Sequence, residues 1–184
     1  MTMLTFVVHV ADRPGVLNRI ASLVRRRGYN IDSLTVGHTD AEGISRMTLV
    51  VEANREAAPR IEANLYKLVH VRLVENVSEA ATVCRELALI KVATSVASRS
   101  QVMQLVDVFR ARIVDVAPES LVVEITGTED KIEGLLEMLR PFGVIEVART
   151  GRLAMTRGRP AGRADAKDSV EQASAGDESV ACSV

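Results

Sequence analysis

The chain has 184 residues, 47% of them hydrophobic and only 3% aromatic, with no tryptophan and a formal charge of −1 at neutral pH. That supplies one ordinary core or two small ones, filled by Val, Leu, Ile and Ala, and the near-balanced charge excludes a general polyanion-binding surface. No apolar run approaches the ~20 residues of a membrane span, no leader opens the chain, and Cys84 and Cys182 suit no disulfide framework, so a soluble, cytoplasmic protein with reduced thiols is expected.

In chain order, Met3 to Val10 alternates as a strand, with Leu4, Phe6, Val8 and Val10 on one face and Thr5 and His9 on the other. Asp12, Pro14 and Gly15 read as a capped turn into a helix. Its apolar stripe is Val16, Leu17, Ile20, Leu23 and Val24, its last turn holds Arg25 to Arg27, and Gly28 supplies a left-handed stop. Strands follow at Ile31 to Gly37 and Ile44 to Val51, joined by Asp40 to Gly43. Pro59 places a second helix start near Ala58, with Ile61, Leu65, Leu68 and Val69 inward, and Val71 to Val77 is a fourth strand.

The same order then recurs. Glu86 to Val92 is a strand. Ser98 or Ser100 caps a helix burying Val102, Met103, Val106 and Phe109, and strands cover Arg112 to Val116 and Leu121 to Gly127. Thr128 caps a helix with Ile132, Leu135, Leu136 and Leu139 inside, and Val144 to Arg149 closes the set. The fold class is α+β: two tandem ferredoxin-like βαββαβ units, at 1–77 and 84–158, with a linker at 78–83 and a polar tail at 159–184 expected to be disordered. Two helices cover one face of each sheet. In the first unit the other face carries Val7 and Val50, moderated by Thr5, His9 and Thr48, and cover by a second copy or a partner is the economical solution.

The chemistry of the chain lies at the first helix start. Amides opening a helix attract an anion, and Gly15 has no Cβ to hold a carboxylate away. An α-amino acid brings that carboxylate. Asp12 or nearby carbonyls could accept from its ammonium, and Val16, Leu17 and Ile31 offer a small apolar wall. A capped turn with no ligand fits these residues as well.

Nothing reads as catalytic. His9, His38 and His70 lack metal-ligand spacing, Cys84 has no nucleophile signature, the lone glycine of Arg13 to Leu17 is neither a dinucleotide fingerprint nor a Walker loop, and the carboxylates do not pair. The central strands offer no stacking aromatics for RNA.

The strand MLTFVVHV, the turn ADRPGVLNRI, RRRGYNIDSLTVG and ISRMTLVVE together resemble the N-terminal ACT domain of acetolactate synthase (acetohydroxyacid synthase) regulatory small subunits. LYKLVHVRLV, RELALIKV, FRARIVDVAPESLVVEITGTEDKI and IEVARTGRLAMTRG extend the likeness to about Gly158. The resemblance implies a non-catalytic partner of a large catalytic subunit that carries thiamine diphosphate, FAD and magnesium, with no cofactor in this chain. It implies activation of that subunit and feedback inhibition by a branched-chain amino acid, usually valine, in branched-chain amino acid biosynthesis. It also implies a homodimer of ACT domains, with the effector between Asp12, Gly15, Val16 and Leu17 of one copy and Asn30 and Ile31 of the other, and no nucleic acid or membrane partner. Relatives commonly carry Glu-Asn where this chain has Ala11-Asp12, which keeps an acceptor for the ammonium but removes a donor for the carboxylate. An ACT regulator of another enzyme binding another amino acid is the alternative.

Overall fold

The structure, a computed structural model, describes residues 1–158. It divides into two compact units: Met1–Val83 together with the stretch beginning at Ala154, and Cys84–Leu153. The first unit holds β1 (Thr2–Ala11), α1 (Val16–Arg26), β2 (Asn30–His38), β3 (Ile44–Ala53), α2 (Ala58–Leu65) and β4 (Val71–Asn76), its sheet ordered β2-β3-β1-β4 and antiparallel throughout. The second repeats the plan with β5 (Thr82–Ala93), α3 (Arg99–Val108), β6 (Arg112–Val116), β7 (Ser120–Gly127), α4 (Glu129–Leu139) and β8 (Val144–Arg149), ordered β6-β7-β5-β8. The mixed α and β architecture is the expected one. A ninth strand, β9 (Leu153–Thr156), pairs with β5; its four residues are too few for an alternating pattern to announce it.

Each core sits between a sheet and its two helices. Leu4, Phe6, Val8 and Val10 all point to the helices and are 2% exposed or less, meeting Val16, Ile20, Leu23 and Val24 of α1. In the second unit Ala88, Ile90 and Val92 meet Val102 and Val106 of α3 and Ile132, Leu135 and Leu139 of α4. Burying each large aliphatic side chain here contributes about 1.5–3 kcal/mol. Such repeated contacts, rather than helix propensity, hold helices of only 8 to 11 residues in place.

The structure corrects several sequence expectations. Val69 is 81% exposed because α2 ends at Leu65 and the chain is already turning, and Met103 is 46% exposed because α3 turns it away from the Val102–Val106 stripe. The sheet's second face in the first unit is not left for another molecule. Thr5, Val7, Thr48 and Val50 are all 6% exposed or less, and the chain's own later segments reach that face. The Arg46 guanidinium, beside His9 on that face, donates to the carbonyl of Ala154, itself fully buried. The disordered-tail expectation at 159–184 falls outside the described residues.

Candidate functional site

The turn between β1 and α1 is fixed from both sides. Ala11 N donates to His70 O and Asp12 N to Gly43 O, at 2.8 and 2.7 Å, so the end of β1 is held by the loops before β4 and β3. Beyond it Pro14 and Gly15 turn the chain. Gly15 has φ +83°, a left-handed conformation that L side chains avoid, and it rather than Asp12 is the residue before the first helical turn. The expectation that Asp12 caps the helix fails for a geometric reason: three residues of turn separate it from α1, beyond reach of the second or third helical amide. No side chain caps α1. Of its opening amides, Val16 N donates to Arg13 O at 3.4 Å, the next ones lack an intrahelical partner by position, and a Cβ at Gly15 would meet no atom within 4 Å, so the space beside that residue is open.

The structure sorts the remaining predicted site residues. Val16 is 4% exposed and belongs to the core, so it can offer a ligand only its backbone; Leu17 is 43% exposed beside it. Asn30 is exposed at the start of β2, and Ile31 lies half-buried against the core. Within one chain these two groups do not meet. His38, not Asn30, is level with the Gly15 turn: His38 pairs with Ser45, which pairs with Val10, whereas Asn30 pairs with Glu52 at the far end. The nine residues of β2 place Asn30 about 26 Å from His38.

His38 is the residue that sequence reading missed. Its Nδ1 lies 3.4 Å from the Asp12 carboxylate, at 82% and 49% side-chain exposure, so the acceptor proposed for an ammonium already has a cationic neighbour when the imidazole is protonated. No spacing signal could have linked positions 12 and 38; strand register does. Among the described residues no group of three or more His, Cys, Asp or Glu side chains could hold a metal ion.

The corresponding turn of the second unit is built differently. Ser95 N donates to Ser98 Oγ at 2.9 Å and Ser98 N to Ser95 Oγ at 3.2 Å, tying the turn to itself ahead of α3, whose own first amides have no side-chain cap either.

Comparison with known proteins matches both units. Residues 6–72 fit the family model for the AHAS small subunit-like ACT domain, and residues 85–158 fit that for the small subunit of acetolactate synthase. The chain is 48% identical over 163 residues to the acetolactate synthase small subunit of Mycobacterium bovis, covering 89% of this chain and 96% of that one. It is 45% identical over 150 residues to the Bacillus subtilis protein of that name, covering 81% and 87%. The crystal structure of the Thermotoga maritima acetolactate synthase small subunit superposes with a TM-score of 0.81 at 38% identity, covering 86% of this chain and 99% of that one.

Proposed function

The chain belongs to the acetolactate synthase small-subunit family, a regulatory rather than catalytic role, and from that premise we propose that it binds the large catalytic subunit, raises its activity and makes it sensitive to a branched-chain amino acid, valine first. In this reading the partner holds thiamine diphosphate, FAD and magnesium and performs the chemistry. This chain supplies only a site whose occupancy biases the partner.

One observation carries the effector site: α1, alone among the four α-helices of the described residues, starts behind a left-handed glycine, and the Cβ direction of that glycine is open. A free amino acid's carboxylate suits those amides, and the Asp12 carboxylate suits its ammonium. Asn30 and Ile31 can complete the site only from a second copy. β2 is an edge strand with one side unpaired, and two such strands pairing antiparallel about a two-fold axis bring residue 30 of one copy opposite residue 38 of the other. Asp12 and His38 of one molecule then face Asn30 and Ile31 of the next, and the effector lies across the seam.

Inhibition follows if valine stabilises one arrangement of the paired domains and the large subunit is most active with another. A coupling of about 1–3 kcal/mol suffices for a useful response. The test is reconstitution with the large subunit, assayed with and without valine, beside calorimetric titration with valine, leucine, isoleucine, serine and glycine. Stimulation with valine inhibition is expected. Stimulation without inhibition keeps the partner and removes the effector, and heat with serine alone moves the chain to the alternative, an ACT regulator of another pathway enzyme.

A further inference from the structure

Three separate features bring His38 to the start of α1. Register sets its level: His38 pairs with Ser45 and Ser45 with Val10, two residues before Asp12. The pleat sets its side. Leu34, packed on the core that α1 closes, shares one face of β2 with Val36 and His38, so the imidazole emerges on the side of the sheet where α1 begins. The contact itself is His38 Nδ1 to the Asp12 carboxylate at 3.4 Å. The second unit has the same places without the chemistry. Thr94 stands for Asp12, its amide bonded to Glu119 O as that of Asp12 is to Gly43 O, and Val116, paired through Leu121 to Val92, stands for His38.

Asp12 is the one acidic residue between Ala11 and Tyr29, so the charge of this turn depends on what stands against its carboxylate. The other ionisable groups close in chain or register are Arg13 and Arg19 at the turn and helix start, Asp40 and Glu42 in the β2–β3 connection, and His70 ahead of β4. His9 and Arg46, paired with each other across β1 and β3, belong to the opposite face of the sheet. Among these, only the two histidines are of the residue type that changes charge near neutrality.

We propose that His38 is a positioning residue of the effector site and acts through Asp12: it holds that carboxylate at the α1 start, and its protonation state sets how strongly the carboxylate takes a ligand's ammonium. This rests on the reading above that an amino acid binds there. With a neutral imidazole the pair carries one negative charge, and the ammonium is attracted. Once the ring gains a proton the pair has no net charge, and the imidazolium competes with the ammonium for the same oxygens. Ligand and proton therefore oppose each other reciprocally: acid weakens binding, and binding releases protons from the ring. In the proposed dimer residue 38 lies opposite residue 30 of the next copy, so the ring stands at the seam the ligand crosses.

The experiment is calorimetric titration of the full-length chain with valine between about pH 5.5 and 8, in buffers of different ionisation enthalpy so that released protons are counted. Wild type is compared with His38→Gln, His38→Ala and His70→Gln, and thermal denaturation reports folding of each. Wild type should lose about two- to fivefold in affinity on acidification and release a fraction of a proton per valine. His38→Gln keeps a donor for Asp12 but cannot titrate, so it should match wild type at the alkaline end and stay flat. His38→Ala should bind more weakly than His38→Gln there, and His70→Gln should behave as wild type. Isovalerate, which is valine without its ammonium, should not bind more weakly in acid. A flat wild-type profile, a slope that survives in His38→Gln or disappears in His70→Gln, or the same slope for isovalerate overturns the assignment while leaving the effector site in place. Failure of valine to bind wild type at any pH removes the effector reading itself, and this inference with it.

Discussion

The two units are the same machine built twice, related by an offset of 82 positions from the first strand through the first helix (from 20 to 102) that falls to 73 by the fourth strand (from 71 to 144). Ile20 and Val24 correspond to Val102 and Val106, Ile31 to Ile113, and Gly28 to Arg110. Even single hydrogen bonds repeat. Ala11 N to His70 O matches Ala93 N to Gly143 O, and Tyr29 N to Val24 O matches Ala111 N to Val106 O. With backbone and core held equal, the differences that remain are at the helix start, glycine against a serine pair, and on the helix exterior, arginines against a mixed surface. A fold can thus be duplicated with its packing intact while the turn into the first helix is a left-handed glycine in one copy and a serine-tied turn in the other.

The largest test of this equivalence is in the cores. Ile20→Ala and Val102→Ala, both fully buried at matched places, should each destabilise strongly, the first by about 3–4 kcal/mol and the second by about 2 kcal/mol, read from urea unfolding. Near-equal effects would mean that the two cores relax differently despite their shared plan.

Next comes the asymmetry of the turns. Gly15→Ala forces a side chain to φ +83°, costing about 1–2 kcal/mol of stability, and it should weaken valine binding by calorimetry more than tenfold by crowding the amides. The matched Ala97→Leu, at the turn tied by Ser95 and Ser98, should leave valine binding unchanged. If both variants or neither lose valine, the two turns do not differ as argued.

The helix C-caps sharpen the comparison further. Both α1 and α3 end in the same pair of reversed hydrogen bonds, yet the left-handed position is Gly28 at φ 75° in one and Arg110 at φ 52° in the other. Arg110→Gly should stabilise by about 1 kcal/mol and Gly28→Ala should destabilise by a similar amount, measured as opposite shifts in Tm. The smallest effect belongs to the exposed Asp12–His38 pair, which has no counterpart in the second unit. His38→Ala should change stability by less than about 0.5 kcal/mol, so any larger change in valine affinity would report on the site rather than on the fold.

Much of this was legible in the residues. Alternation in Met3 to Val10, the stripe of Ile20, Leu23 and Val24, and the glycine at position 28 are local rules, and the structure follows each. Val69 and Met103 were misread because period alone does not say where a helix stops or how wide its buried stripe is. Asp12 was misread as a cap because a Pro-Gly turn intervenes, a detail of φ that composition does not state.

By itself the sequence determined the repeated βαββαβ order, the two cores and the basic, acid-free stretch of α1, because hydrophobic period and charge are carried by neighbouring residues. Only the tertiary structure decided that Ala154 returns to cover the first sheet, that His38 comes to Asp12, and that Asn30 lies a full strand away from Gly15. Those facts depend on which strands pair and in what register, a choice settled by burying whole faces together and written in no single stretch of chain.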